Sequence, residues 1–140
     1  MRLIREYRLP REAVETASTD WLTHPDVWEA LLEDMPLGAM VRNLGVMTTR
    51  GLIAPMSNAT GYVLTRLQDV AAIRQARLHP IKVLAALLTY AQGSSRGGRA
   101  WTPVGPVVDA LDGAFYHAFP NVETTGKRWC YALDISGSMG

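Results

Sequence analysis

The sequence predicts a mainly α-helical chain that ends in one β-strand. Three observations carry that prediction. Apolar residues recur at three- and four-residue intervals through most of the 140 residues, the spacing that lines up side chains along one face of an α-helix. Breaks rich in proline, glycine, serine and asparagine separate those stretches at short intervals. Near the C-terminus the period changes: Trp129 to Leu133 is a short apolar run bounded by Gly126 and Gly137, which fits a buried strand better than another helix.

Taken in order, the first helix with clear signals begins at Pro25, where a proline is tolerated because the first-turn N–H has no helical partner. Val27, Trp28, Leu31 and Leu32 follow at helical spacing until Met35-Pro36 interrupts. Pro36 to Met47 carries one stripe, Leu37, Met40, Val41, Leu44 and Met47, expected to be core. Gly51 to Asn58 reads as a connection. Tyr62, Val63, Leu67, Val70 and Ile73 restart the helical pattern, with a break expected near Asp69. His79-Pro80 marks the next boundary, because a residue before proline is pushed out of helical geometry. Ile81 to Tyr90 is apolar on nearly every side and predicts a helix covered on both flanks. Gly93 to Arg99 is a flexible basic loop. Pro103 to Phe119 is the clearest helix, with Val104, Val107, Val108, Leu111, Phe115, Ala118 and Phe119 on one side, and Pro120 ends it. Asn121 to Lys127 is a polar linker with Thr124-Thr125-Gly126 as its hinge. Helices of this length on short loops fit either a bundle or a helix-pair solenoid, and no fixed-period repeat decides between them.

A length of 140 residues with 48% apolar and 19% charged residues is enough to bury a core and shows no sign of general disorder. The single cysteine, Cys130, excludes an internal disulfide framework; within an apolar run it is expected to be a buried small hydrophobe in a reducing compartment. The N-terminal Met1-Arg-Leu-Ile-Arg-Glu-Tyr is too charged for a signal peptide, and no stretch of about 18 apolar residues marks a membrane span, so no membrane partner and a cytoplasmic location are expected.

The net charge of +1 hides a strong asymmetry. Residues 1 to 34 hold four Arg against eight acidic residues, net −4, whereas 35 to 108 hold seven Arg and one Lys against Asp69 alone, net +7. The remainder sums to −2. A middle segment this basic attracts polyanions. Each single cation is as well explained by a solvated helix face; only the imbalance of the whole segment points to a partner.

The last residues, Asp134-Ile-Ser-Gly-Ser-Met-Gly, place a carboxylate and two hydroxyls at alternate positions directly after the expected strand. A turn leaving a strand can hold Asp134, Ser136 and Ser138 on one side, with Gly137 easing the bend. Three hard oxygen ligands suit Mg²⁺ or another divalent cation, which then needs further ligands or waters. One carboxylate and two neutral hydroxyls are expected to hold it weakly.

Several runs resemble a known family. Val27-Trp-Glu-Ala-Leu-Leu32, Met35-Pro-Leu37, Val41-Arg-Asn-Leu-Gly45 with Met47-Thr48, Ala76-Arg-Leu-His-Pro-Ile81, Ala86-Leu87, Thr89-Tyr90, Ala110-Leu-Asp112 and Ala114-Phe-Tyr116 resemble the TROVE module of the Ro ribonucleoproteins. Thr125-Gly-Lys-Arg128 leading into Asp134-x-Ser-x-Ser-Met139 resembles the start of that family's von Willebrand A domain. The resemblance implies HEAT-like helical repeats, an α-solenoid fragment over 1–120, a linker over 121–127, and over 128–140 the first strand of a truncated von Willebrand A domain with its metal-ion-dependent adhesion site. About half of the helical module is then expected before Met1 and most of the A domain after Gly140. By the same resemblance the partners are small noncoding RNA, the single-stranded ends of misfolded RNA, and an exoribonuclease or other protein.

An RNA-binding helical scaffold needs cations for phosphates and planar groups for unpaired bases. Arg77, His79 and Lys82 cluster around a helix start, where free N–H groups also favour phosphate; His79 is equally a capping residue. Arg96 and Arg99 lie on the glycine-rich loop. Arg42 sits beside an apolar stripe, with pairing to Asp34 as its other role. Trp28, Phe115, Tyr116 and Phe119 are expected in the core, leaving Trp101 as the aromatic nearest the basic loop. No enzyme is expected: Glu33-Asp34 and Asp109/Asp112 have no catalytic setting, His24 and His117 have no partner for base work, and no phosphate-loop fingerprint is present. Two other readings stay open, a protein-interaction solenoid whose metal site engages an acidic partner, and a truncated chain without independent activity.

Overall fold

The computed structural model describes residues 2–17, 19–95, 97, 100–128 and 130. Eight α-helices are present among them: α1 (Arg2–Tyr7), α2 (Arg11–Ala17), α3 (Pro25–Glu33), α4 (Leu37–Thr49), α5 (Asn58–Gln68), α6 (Val70–Gln75), α7 (Pro80–Gln92) and α8 (Gly105–His117). Short 3₁₀ turns at Thr19–Thr23 and Phe119–Asn121 complete the helical part. No helix among the described residues is long and apolar enough to cross a membrane.

The breaks fall where local chemistry puts them. Pro25 and Pro80 both sit in the first turn of their helices. Asp69 ends α5 in extended geometry and starts α6, its carboxylate accepting the Ala72 N–H at 3.0 Å. Ser57 caps α5, its hydroxyl oxygen accepting from the Thr60 N–H at 3.1 Å. Gly93 closes α7 at φ 72°, and a Cβ there would meet the Trp101 carbonyl oxygen at 2.7 Å, so both conformation and space require glycine. The basic loop that follows is tied at its base by the Trp101 N–H donating to Gly93 O at 2.8 Å and by a bridge between Ser94 and Ala100.

The core is continuous. The predicted α4 stripe, Leu37, Met40, Val41, Leu44 and Met47, is buried, with Trp28 and Leu31 from α3 and Val63 and Leu67 from α5. Helix α8 packs on α7 and α5 and inserts Val107, Leu111 and Ala114. The buried Trp28 indole N–H donates to Leu22 O at 2.8 Å, so the ring's one polar group is satisfied.

Three expectations are corrected. Helix α7 is not covered on both flanks: Ile81 is 68% and Leu88 62% exposed, because α8 lies on one side and nothing among the described residues lies on the outer one. Tyr116 and Phe119 are exposed rather than core; they extend past the helix contacts at the end of α8 and pack edge to face on Phe115, with centroids 5.2 and 5.0 Å apart. Cys130 is exposed, at the end of a connection from Val122 to Arg128 that is itself exposed throughout. The rest of the expected strand Trp129–Leu133 lies outside the described residues, as do Asp134, Ser136 and Ser138.

Candidate nucleic-acid interface

A groove of about 1340 Å³ runs between the α1–α2 turn, the α3–α4 turn, α4 and α7. Five cations line it. Arg8 and Arg11 come from the α1–α2 turn, Arg42 from α4, Arg77 from the α6–α7 turn and Lys82 from α7. The fold thus brings together three of the residues that the sequence singles out, although 40 positions separate Arg42 from Lys82.

Their electrostatic states differ. Arg8 pairs with Asp34 at 3.8 Å and Arg11 with Glu15 at 3.3 Å. Asp34 is therefore taken by Arg8, and the pairing considered for Arg42 is not formed. Arg42, Arg77 and Lys82 are exposed and make no ion pair among the described residues. A cation without an intramolecular carboxylate is free to neutralise an incoming phosphate, whereas a paired one must first give up its partner.

Arg11 is the most constrained of the five. Its guanidinium lies 5.8 Å from the Trp28 ring centroid, its Nη1 donates to Asn43 Oδ1 at 3.3 Å, and its Nε is buried without a partner among the described residues. Asn43 is held in turn by donating its amide to Ala39 O at 2.9 Å.

Arg77 sits in the left-handed region, φ 46°. The cause is the end of α6: the Leu78 N–H reaches back to Ile73 O at 3.2 Å and the Arg77 N–H to Arg74 O at 3.0 Å, the pattern of a Schellman stop. That stop turns the chain where Arg77 lines the groove. His79 is not on the groove. Its Nδ1 accepts the Ile81 N–H at 3.2 Å, which makes it the cap of α7. Trp101 lines the groove, but its Nε1 donates to Tyr90 O at 3.0 Å and its ring stacks on Tyr90 with centroids 6.2 Å apart, so packing fixes it. Arg96 and Arg99 lie outside the described residues; Ser95, just before them, lines the groove. Arg8 and Arg11 were not singled out by the sequence because they belong to its acidic N-terminal segment, residues 1 to 34. The signal available there was two arginines flanking Leu9-Pro10, a turn that holds both at one helix junction.

Five cations gathered on one groove of a helical scaffold are the charge pattern that binding of a polyanion requires. The comparisons with known proteins give the family. The TROVE domain family model matches residues 8–94, and the chain belongs to that family, the family of the Ro ribonucleoproteins. It is 42% identical over 138 residues to the RNA-binding protein RO60 of Caenorhabditis elegans, covering 97% of this chain and 21% of that protein. With the RNA-binding protein RO60 of Deinococcus radiodurans it shares 44% identity over 139 residues, 98% of this chain and 25% of that one. The crystal structure of the Deinococcus radiodurans RO (RSR) protein superposes with a TM-score of 0.74 at 41% identity, covering 87% of this chain and 24% of that chain. The chain thus spans a fifth to a quarter of the length of these relatives.

Proposed function

We propose that this chain binds RNA, and that the groove between α4 and α7 takes the phosphate backbone. One observation carries the reading: Arg42, Arg77 and Lys82, from three separate elements, converge on one groove without ionic partners among the described residues. The relatives' name as RNA-binding proteins supports the same polyanion. Its proposed ligands are small noncoding RNA and single-stranded ends of misfolded RNA, bound without chemical conversion. Arg96 and Arg99, which follow Ser95 in the sequence, are proposed as further RNA contacts. The helical part, 1–120, acts as a segment of a HEAT-like array, 121–127 as a linker, and 128–140 as the start of a von Willebrand A domain, in a cytoplasmic protein.

The test is binding of this chain to a structured RNA with a single-stranded 3′ tail, titrated across salt. The triple variant Arg42→Ala/Arg77→Ala/Lys82→Ala is measured beside it, with circular dichroism to show that both are folded. Three lost single-strand phosphate contacts flatten the log–log salt slope by about 2. A folded variant with wild-type affinity and slope overturns the groove; absence of binding in the folded wild type overturns RNA binding by this chain.

For the proposed divalent cation, Asp134, Ser136 and Ser138 supply one carboxylate and two hydroxyls, a donor set that fits Mg²⁺ but fills only part of its shell. Calorimetric titration with Mg²⁺ is expected to show weak binding that Asp134→Ala removes. Equal heats from wild type and variant refute the site.

A further inference from the structure

Helix α7 has three faces. Val83 and Tyr90 point into the core, and Lys82, Ala85, Ala86 and Thr89 line the basic groove. The third face points away from the core and is apolar: Ile81, Leu84 and Leu88 lie at i, i+3 and i+7, with Ile81 and Leu88 the most exposed. That is the spacing by which a helix docks into a groove.

A second groove, of matching apolar kind, shares Ile4 and Leu9 with the basic one. An apolar pocket of about 390 Å³ opens between α1, α2 and the start of α3, walled by Leu3, Val14, Ala17, Trp21 and Val27. Leu3 is 62% and Trp21 53% exposed at its mouth. Isolated exposed leucines need no explanation, but a large apolar side chain on each lip of an apolar cleft does.

Charge selects the occupant. Asp26 lines the pocket and no Lys or Arg does. The four arginines of residues 1 to 34 are each held in an ion pair, Arg2 with Glu6, Arg5 with Glu33, Arg8 with Asp34 and Arg11 with Glu15. The field around the pocket is therefore negative. The α7 stripe is the opposite: Arg74, Arg77 and Lys82 surround its N-terminal end, and residues 70 to 108 hold no acidic residue. Opposite fields align such surfaces and apolar contact holds them.

We infer that the outer stripe of α7, Ile81, Leu84 and Leu88, seats in the α1–α2–α3 pocket of a second copy of this chain. Stripe and pocket are different surfaces, so the contact is head to tail. Each added copy leaves one stripe and one pocket free, and assembly passes beyond the dimer. A single helix stripe buries less than the roughly 1,200 Å² of a standard interface, so the association is reversible and rises with concentration.

Sedimentation velocity across concentration tests this with two variants, Leu88→Asp at the stripe and Leu3→Asp at the pocket, both at exposed positions and both checked for wild-type helicity. The wild type is expected to increase in average mass beyond the dimer, and to do so less at high salt. Each variant alone stays monomeric. An equimolar mixture of the two forms a 1:1 dimer and nothing larger, because one variant keeps the pocket and the other the stripe. A wild type that is monomeric at every concentration overturns the inference. So does a mixture that stays monomeric, or a wild type that stops at a dimer insensitive to one of the two substitutions.

Discussion

The indole of Trp101 lies so close to the backbone of Gly45 that a Cβ there would stand 2.7 Å from Cη2 and 2.8 Å from Cζ2. Gly45 is in the interior of α4, where glycine costs about 1 kcal/mol relative to alanine. Two effects therefore oppose each other in Gly45→Ala. Propensity favours alanine by that amount, while forcing a methyl into a filled contact costs about 1–3 kcal/mol. The ring is held by its bond to Tyr90 O and its stacking on Tyr90, so it has little room to yield. The expected outcome is a net loss of about 1 kcal/mol by urea denaturation. Adding Trp101→Leu removes the obstacle, and the alanine then becomes neutral or stabilising relative to Trp101→Leu alone.

Asn121 ties the end of α8 to the α6–α7 turn. Its amide donates to Ile73 O at 3.1 Å and to Leu78 O at 2.9 Å, across more than 40 residues of sequence. Both carbonyls belong to the stop that presents Arg77, so the clamp supports one wall of the groove. Asn121→Ala leaves them without this donor and is expected to cost about 1–3 kcal/mol. Hydrogen exchange should show faster opening at Leu78 and at the start of α7, with α3 and α4 unaffected.

The boundaries legible in the sequence were those with a local cause: Pro25, Pro36, Asp69 and Pro80 each act on their own turn. The α4 stripe was legible too, because five large apolar residues at helical spacing require one buried face. Helices α1 and α2 were not, since six and seven residues give too few turns for a period to show. The groove was half legible. Arg42, Arg77 and Lys82 stand out in a segment of net +7, but Arg8 and Arg11 reach the same groove by tertiary packing from an acidic segment. Ile81 and Leu88 show the limit of pattern reading: an all-apolar helix predicts a cover on every side and does not say whether the same molecule supplies it.

The pair Arg5 and Glu33 gives a pH dependence. Arg5 Nε donates to Oε1 and Oε2 at 3.0 Å and Nη2 to Oε1 at 2.8 Å, pinning α1 to α3. The hydrogen bonds from Arg5 hold the Glu33 carboxyl below its ordinary pKa, and those to Glu33 raise that of Arg5. With the folded carboxyl more acidic than the unfolded one, the pair's contribution is complete above the unfolded pKa, about 4.3, and is lost as pH falls through the folded value. Both groups are exposed, so the contribution is small and screened by salt. Melting temperature is expected to fall slightly between about pH 6 and pH 3 in low salt. Glu33→Gln should remove that part of the fall, leaving only the titration of the other carboxyls.

Arg77 separates stability from function. It occupies the left-handed position that ends α6, where a side chain costs about 1–2 kcal/mol and glycine costs nothing by sterics. The unfolded chain of a glycine variant is more flexible, which returns about 0.4–1 kcal/mol of that gain. Arg77→Gly is therefore expected to stabilise the protein by about 0.5–1 kcal/mol in chemical denaturation. The same substitution removes an unpaired cation from the groove, so RNA affinity should fall and the salt slope flatten by about 0.7 for a single-stranded contact. Arg77→Lys keeps the charge and the strain, and should bind nearly as wild type without the gain in stability. If Arg77→Gly stabilises the fold and binds RNA unchanged, the strained position serves the turn alone and Arg77 has no part in the groove.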